Sequence, residues 1–136
     1  MQVKSVSPDE TRACGARLAR ETSEGAIYAL IGSLGSGKTE FVRGFVAGLS
    51  SGVAVCSPSF TIVNTYQTDT FIIHHFDFYR INAANELIEI GYHEYINNDA
   101  VCLIEWADKF PEVIPENARY VRFKEGKDTV RFISID

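Results

Sequence analysis

"LIGSLGSGKTEF", residues 30–41, sets a loop of glycines and small residues directly behind an aliphatic run and closes it with a lysine and a threonine. Gly32, Ser33, Leu34, Gly35, Ser36, Gly37, Lys38 and Thr39 satisfy G-x-x-x-x-G-K-[ST] at every fixed position. Glycines let the backbone curl so that successive N–H groups face inward as an anion cradle. The helix that follows adds its N-terminal partial positive charge. In such a cradle Lys38 reaches the β and γ phosphates of a nucleotide and the Thr39 hydroxyl binds magnesium. So short a pattern also arises by chance, and its surroundings decide. Upstream, "AIYALIG" from Ala26 is a nearly continuous apolar run of buried-strand length. Downstream, "KTEFVRGFVAGL" places Phe41, Val42, Phe45, Val46 and Leu49 at helical spacing. Strand, glycine loop and helix is the context the cradle requires.

Outward from the loop, "SPDETRACGARLARE" predicts a helix, with Ser7 as cap, Pro8 in the first turn and Glu10 completing a capping box. "SSGVAVCSPSFTIVNTYQTDTFIIHHFDFYRI" is rich in β-branched and aromatic residues and predicts a hairpin of strands over about 61–67 and 70–76, turning at "TDT". "NAANELIEIGYHEYIN" predicts a helix that ends or bends near Gly91, "AVCLIEW" a short buried strand, and "ARYVRFKEGKDTVRFISID" a second hairpin. The expectation is one α/β domain over residues 1–136, a P-loop NTPase-like fold with a mixed central sheet, β-hairpins and flanking helices.

The 136 residues allow one core, and 46% hydrophobic with 23% charged residues is an ordinary globular balance. A formal charge of −5 argues against a large basic face that would bind a nucleic acid backbone, so any RNA is expected to be reached through a partner. No signal-like apolar core opens the chain and no window could span a bilayer, which predicts a cytoplasmic protein without membrane contact. Cys14, Cys56 and Cys102 contain no CxxC pair and read as reduced thiols filling small core spaces. His74 and His75 are neighbours on a predicted strand and point to opposite faces, so they do not share a metal ion.

A phosphate cradle needs an acid for its metal. Two strands deliver one at their carboxyl ends, where ligands bind in open α/β sheets: Asp77 after "FIIHHF" and Glu105 after "VCLI". One would hold Mg²⁺ directly or through water and the other would orient or deprotonate the attacking water; spacing alone does not divide the roles. Lys38 is expected to stand exposed at the loop. Trp106 is expected to pack against the core or the wall of the site.

Taken together, "GSLGSGKTEF", "SPSFTIVNTY", "HHFDFYRI", "ELIEIGYHEY" and "CLIEWADK", in this order, resemble the bacterial TsaE family, formerly YjeE, over nearly the whole chain. The resemblance implies the ATPase component of the machinery that makes threonylcarbamoyladenosine in tRNA, with ATP and Mg²⁺ as cofactors and the TsaD and TsaB proteins as partners. It implies that Gly32 to Thr39 form the nucleotide cradle and that Thr39 is a metal ligand. Glu105 is then placed near the metal, with Asp77 supporting hydrolysis. By the same resemblance "SPSFT", with Ser57 and Thr61, is a switch-like segment facing the γ phosphate and the partner, and Glu10 and Thr11 lie near the adenine. The chain departs from the family pattern at Ser33, usually aspartate, at Ser36, often alanine, and at Glu40, where a second threonine is common. Glu40 puts a negative side chain one residue past Thr39, so nucleotide affinity or magnesium dependence is expected to differ from relatives.

Two other readings use the same cradle. A small-molecule or nucleoside kinase would need an acceptor pocket and an arginine-bearing lid, for which a chain of this length leaves little room. A nucleotide-sensing adaptor would use binding alone to order "SPSFT". No evident arginine finger is present, since nothing in the sequence aims Arg43 or Arg80 at a phosphate, and slow hydrolysis without partners is the corresponding expectation.

Overall fold

A computed structural model describes residues 1–136. The elements in chain order are β1 (Gln2–Ser5), α1 (Pro8–Glu21), β2 (Ile27–Ile31), α2 (Lys38–Leu49), β3 (Val63–Gln67), β4 (Ile72–Asp77), α3 (Asn85–Glu89), α4 (Tyr92–Ile96), β5 (Val101–Glu105), β6 (Arg119–Glu125) and β7 (Arg131–Ile135). One seven-stranded sheet has the order β1-β7-β6-β2-β5-β4-β3. Its centre, β6-β2-β5-β4, is parallel, and antiparallel strands close both edges. The predicted mixed sheet with hairpins is therefore what forms: β3 and β4 pair around "TDT", and β6 and β7 around "EGKD".

Alternation along the central strands explains why they read as unbroken apolar runs. Tyr28 and Leu30 of β2, with Val101 and Leu103 of β5, meet Cys14, Leu18, Phe41 and Phe45 of α1 and α2 on one face. Ile27, Ala29, Cys102 and Ile104 meet Leu87, Tyr92 and Ile96 on the other. A parallel strand covered on both faces has no side to give to water. α1 and α2 cross almost backbone to backbone: a Cβ on Gly44 would lie inside the carbonyl of Arg12, and one on Gly15 inside that of Phe41.

The first helix begins as its cap predicts, with Ser7 Oγ accepting the Glu10 N–H at 3.1 Å, and the Glu10 carboxylate reaching back to the Val6 N–H at 3.0 Å. Gly91, at φ 80°, splits the helix expected over 82–97 into two five-residue helices. β1 was not expected. Its four residues carry little signal of their own and become a strand by pairing with β7, Val3 opposite Ile133. The expectation that all three thiols fill core space fails at one: Cys14 and Cys102 are buried and Cys56 is exposed.

Candidate functional site

The loop between β2 and α2 has the backbone its glycines were read to provide. Gly35 and Gly37 sit at φ 78° and 104°, left-handed values that other residues rarely adopt, and a Cβ on Gly32 would come within 2.5 Å of Ser36 Oγ. Gly37 also caps α2, so the first-turn N–H groups of that helix open toward the loop.

Lys38 is not exposed, contrary to the expectation from sequence. Only 4% of it is accessible, because the side chain folds back under the loop. Its Nζ donates to the carbonyls of Gly32 at 2.6 Å and Ser33 at 2.8 Å, lies 3.3 Å from Ser36 Oγ, and stacks 4.3 Å from the centre of the Trp106 ring. Burial lowers the pKa of this ammonium, opposed by the charges of Glu105 and Asp77. Trp106 reaches this position from a left-handed backbone, φ 58°, at the turn after β5, and its ring also packs on Tyr79 at 4.9 Å. It forms the wall of the site, as expected.

The two acids come from neighbouring parallel strands in register. Asp77 of β4 pairs with Glu105 of β5, which pairs in turn with Leu30 of β2 just before the loop. Period-two alternation puts Glu105 on the face of Val101 and Leu103, toward α2. There Thr39 Oγ1 donates to Glu105 Oε1 at 3.0 Å and lies 3.2 Å from Oε2. Both acids are nearly buried, Asp77 at 5% and Glu105 at 3%. Asp77 accepts the Tyr79 N–H at 2.9 Å, yet desolvation dominates and pushes its pKa up, with the charge of Glu105 acting in the same direction.

A cleft of the carboxyl edge gathers Leu34, Gly35, Ser36, Gly37, Lys38, Thr39, Ser57, Asp77 and Glu105 with Tyr79, Arg80 and Trp106. A smaller cavity on the other side of the loop is lined by Ser7, Thr11, Gly35, Gly37 and Arg131. Thr11 is buried and bonded to Ser5 Oγ at 2.8 Å, whereas Glu10 stays in the helix cap outside both cavities. Thr61 lies beyond the cleft and donates to Asn64 Oδ1 at 2.8 Å. Ser33 contributes its carbonyl to Lys38 rather than a side chain to the cleft. Glu40 also lines the cleft, and its carboxylate is engaged by Arg12 and Arg43, so its charge is balanced there.

No three or more histidine, cysteine or acidic side chains come together as a metal cluster. The oxygen donors of Thr39 and Glu105 nevertheless suit a hard cation, and Mg²⁺ at such sites takes most of its ligands from phosphates and water. Sequence reasoning passed over His75. It shares the face of Asp77 two residues earlier in β4, and its Nε2 lies 2.6 Å from Glu105 Oε2. The alternation used to separate His74 from His75 would also have aligned His75 with Asp77.

A parallel-centred sheet, a left-handed glycine loop capping a helix, and acids at the carboxyl edge define the P-loop NTPase-like class of α/β proteins. Within that class the chain belongs to the TsaE family: the family model described as "Threonylcarbamoyl adenosine biosynthesis protein TsaE" matches residues 5–133. A relative from Bacillus subtilis, named "tRNA threonylcarbamoyladenosine biosynthesis protein TsaE", is 35% identical over 132 residues, 97% of this chain and 82% of the relative. One from Treponema pallidum with the same name is 30% identical over 135 residues, 99% of each chain. The crystal structure of Bacillus subtilis YdiB superposes with a TM-score of 0.83 at 32% identity, covering 99% of this chain and 83% of the other.

Proposed function

We propose that this chain is a magnesium-dependent ATPase that acts in the cytoplasm with TsaB and TsaD partner proteins in forming threonylcarbamoyladenosine in tRNA. The observation that carries the reading is the meeting of Thr39 Oγ1 and the Glu105 carboxylate at 3.0 Å beside the glycine loop. Loop and first-turn amides would hold the phosphates, and Lys38 would turn from the Gly32 and Ser33 carbonyls toward them. Thr39 and Glu105 are the residues that would hold Mg²⁺, which when bound neutralises phosphate charge as it develops. Asp77, its proton affinity raised by burial, is suited to orient and deprotonate the attacking water.

The partner dependence is supported by the rim of the cleft. Leu34 of the cleft lining is 72% exposed, and Phe60, 83% exposed, is stacked 4.3 Å from Arg80 of the same lining, large apolar side chains that a partner protein would cover. Arg80 lines the cleft with its guanidinium stacked on Phe60, in keeping with slow turnover by the chain alone. With a net charge of −5, tRNA is reached through the complex. The test is retention of the TsaB–TsaD pair by this chain with and without ATP and Mg²⁺, with phosphate release followed in the same mixtures. Nucleotide-dependent retention and stimulated release are expected; retention indifferent to nucleotide together with no release would overturn the proposal.

A further inference from the structure

Behind the cleft runs a line of contacts that phosphate binding does not use. Glu105 Oε2 meets His75 Nε2 at 2.6 Å, and the far side of that ring, Nδ1, lies 3.0 Å from the Tyr66 hydroxyl. Tyr66 in turn donates to the carbonyl of Cys56 at 2.9 Å, and its oxygen lies 3.3 Å from the Cys56 N–H. With Thr39 on the other oxygen of Glu105, the chain of contacts runs unbroken from the phosphate loop to the residue before Ser57. Glu105, His75 and Tyr66 are all buried, and the two contacts of the His75 ring lie wholly in the interior. Residues 53–58 form no helix or strand, and Asn64 Nδ2, which donates to the same Cys56 carbonyl at 3.0 Å, is the other side chain that fastens this point of the segment to the sheet.

We propose that His75 and Tyr66 are positioning residues that couple the orientation of Glu105 at the phosphate loop to the backbone of Cys56, and so to the Ser57–Thr61 segment. The inference rests on the nucleotide site proposed above. When the Thr39 hydroxyl leaves Glu105 for a bound ligand, the carboxylate keeps His75 as its buried partner and shifts against it. The ring is held between Glu105 and Tyr66 within close-packed surroundings, which pass displacement on rather than absorb it. Tyr66 therefore moves with the ring, and Cys56 with Tyr66. Occupancy of the cradle is thereby read out at Cys56 through the sheet, on the far side of the segment from Ser57, which lines the cleft itself.

The protein carries its own probe for this link, because Cys56 is exposed while Cys14 and Cys102 are buried. The rate at which a chromogenic disulfide reagent modifies Cys56 is measured on the full chain, with and without a non-hydrolysable ATP analogue and Mg²⁺. In the wild type the rate is expected to change by about threefold or more on saturation, as a local opening equilibrium shifts. Tyr66→Phe removes one hydroxyl and should bind the analogue yet lose that response. His75→Gln keeps an amide donor for Glu105 but no second nitrogen for Tyr66. It should also lose the response, while retaining more turnover than His75→Leu. A Tyr66→Phe or His75→Gln protein whose Cys56 responds as in the wild type would refute the coupling, and so would a wild-type protein that binds the analogue with no change at Cys56. Failure of the analogue to bind the wild type at all would instead sink the nucleotide reading, and the coupling with it.

Discussion

Replacing Lys38 with methionine keeps the bulk of the side chain and removes the ammonium, and the structure predicts two separable losses. The first is in the loop. Two carbonyls lose charge-assisted donors at 2.6 and 2.8 Å, each such bond being worth about 1.5–3 kcal/mol. Against this, the protein no longer desolvates a charge, the effect that lowers the lysine pKa. The net cost should be about 1–2 kcal/mol, which in a domain of this size lowers Tm by roughly 3–8 °C. The second loss is at the phosphates. Truncating one member of a desolvated charge pair costs about 2–5 kcal/mol, so ATP should bind roughly 30- to 4,000-fold more weakly. Scanning calorimetry of the nucleotide-free protein gives the first quantity and isothermal titration with ATP and Mg²⁺ the second. Wild-type affinity in a folded Lys38→Met protein would refute the site assignment. A large loss of affinity with an unchanged Tm would refute the claim that the lysine braces the loop.

Other outcomes follow from the same contacts. Glu105→Gln retains an acceptor for Thr39 but loses the charge; nucleotide affinity should stay within about tenfold while single-turnover phosphate release falls by about 10²-fold or more. Asp77→Asn should stabilise the nucleotide-free protein at neutral pH. Burial raises the native pKa of this acid, so its stabilising contribution is present below the unfolded value and lost as pH rises through the native one. The Tm advantage of Asp77→Asn should therefore shrink to nothing by about pH 4, and a constant advantage across pH would contradict the burial argument. Gly44→Ala drives a methyl into the Arg12 carbonyl and should cost about 2–4 kcal/mol. Gly52→Ala, at φ 82° with open space around it, should cost only about 1 kcal/mol; equal effects in denaturant titrations would argue against the close helix crossing.

The differences between expectation and structure share a cause. β1 exists because β7, far along the chain, offers it an edge, and a four-residue segment shows little of that in its own composition. Lys38 lies among residues that read as a solvent-facing turn, and its burial follows from the turn closing over it and from Trp106 swinging back on a left-handed backbone. Glu40 reads in sequence as an unaccompanied charge beside Thr39, and α1 brings Arg12 across to meet it. Each of these features depends on an element remote in sequence.

What the sequence determined by itself is local: the glycine pattern, the cap at Ser7, the hairpin turns, and the apolar runs that must be covered on both faces. These depend on dihedral preference and on spacing within a few residues, and they made candidates of Lys38, Thr39, Asp77 and Glu105, which the fold gathers in one cleft. Only the tertiary structure decided which partner each of those groups meets. Register between parallel strands placed Asp77 beside Glu105, and alternation along β4 put His75 behind them. Distance in a folded chain is set by strand pairing and packing, and neither is written in the neighbourhood of any one residue.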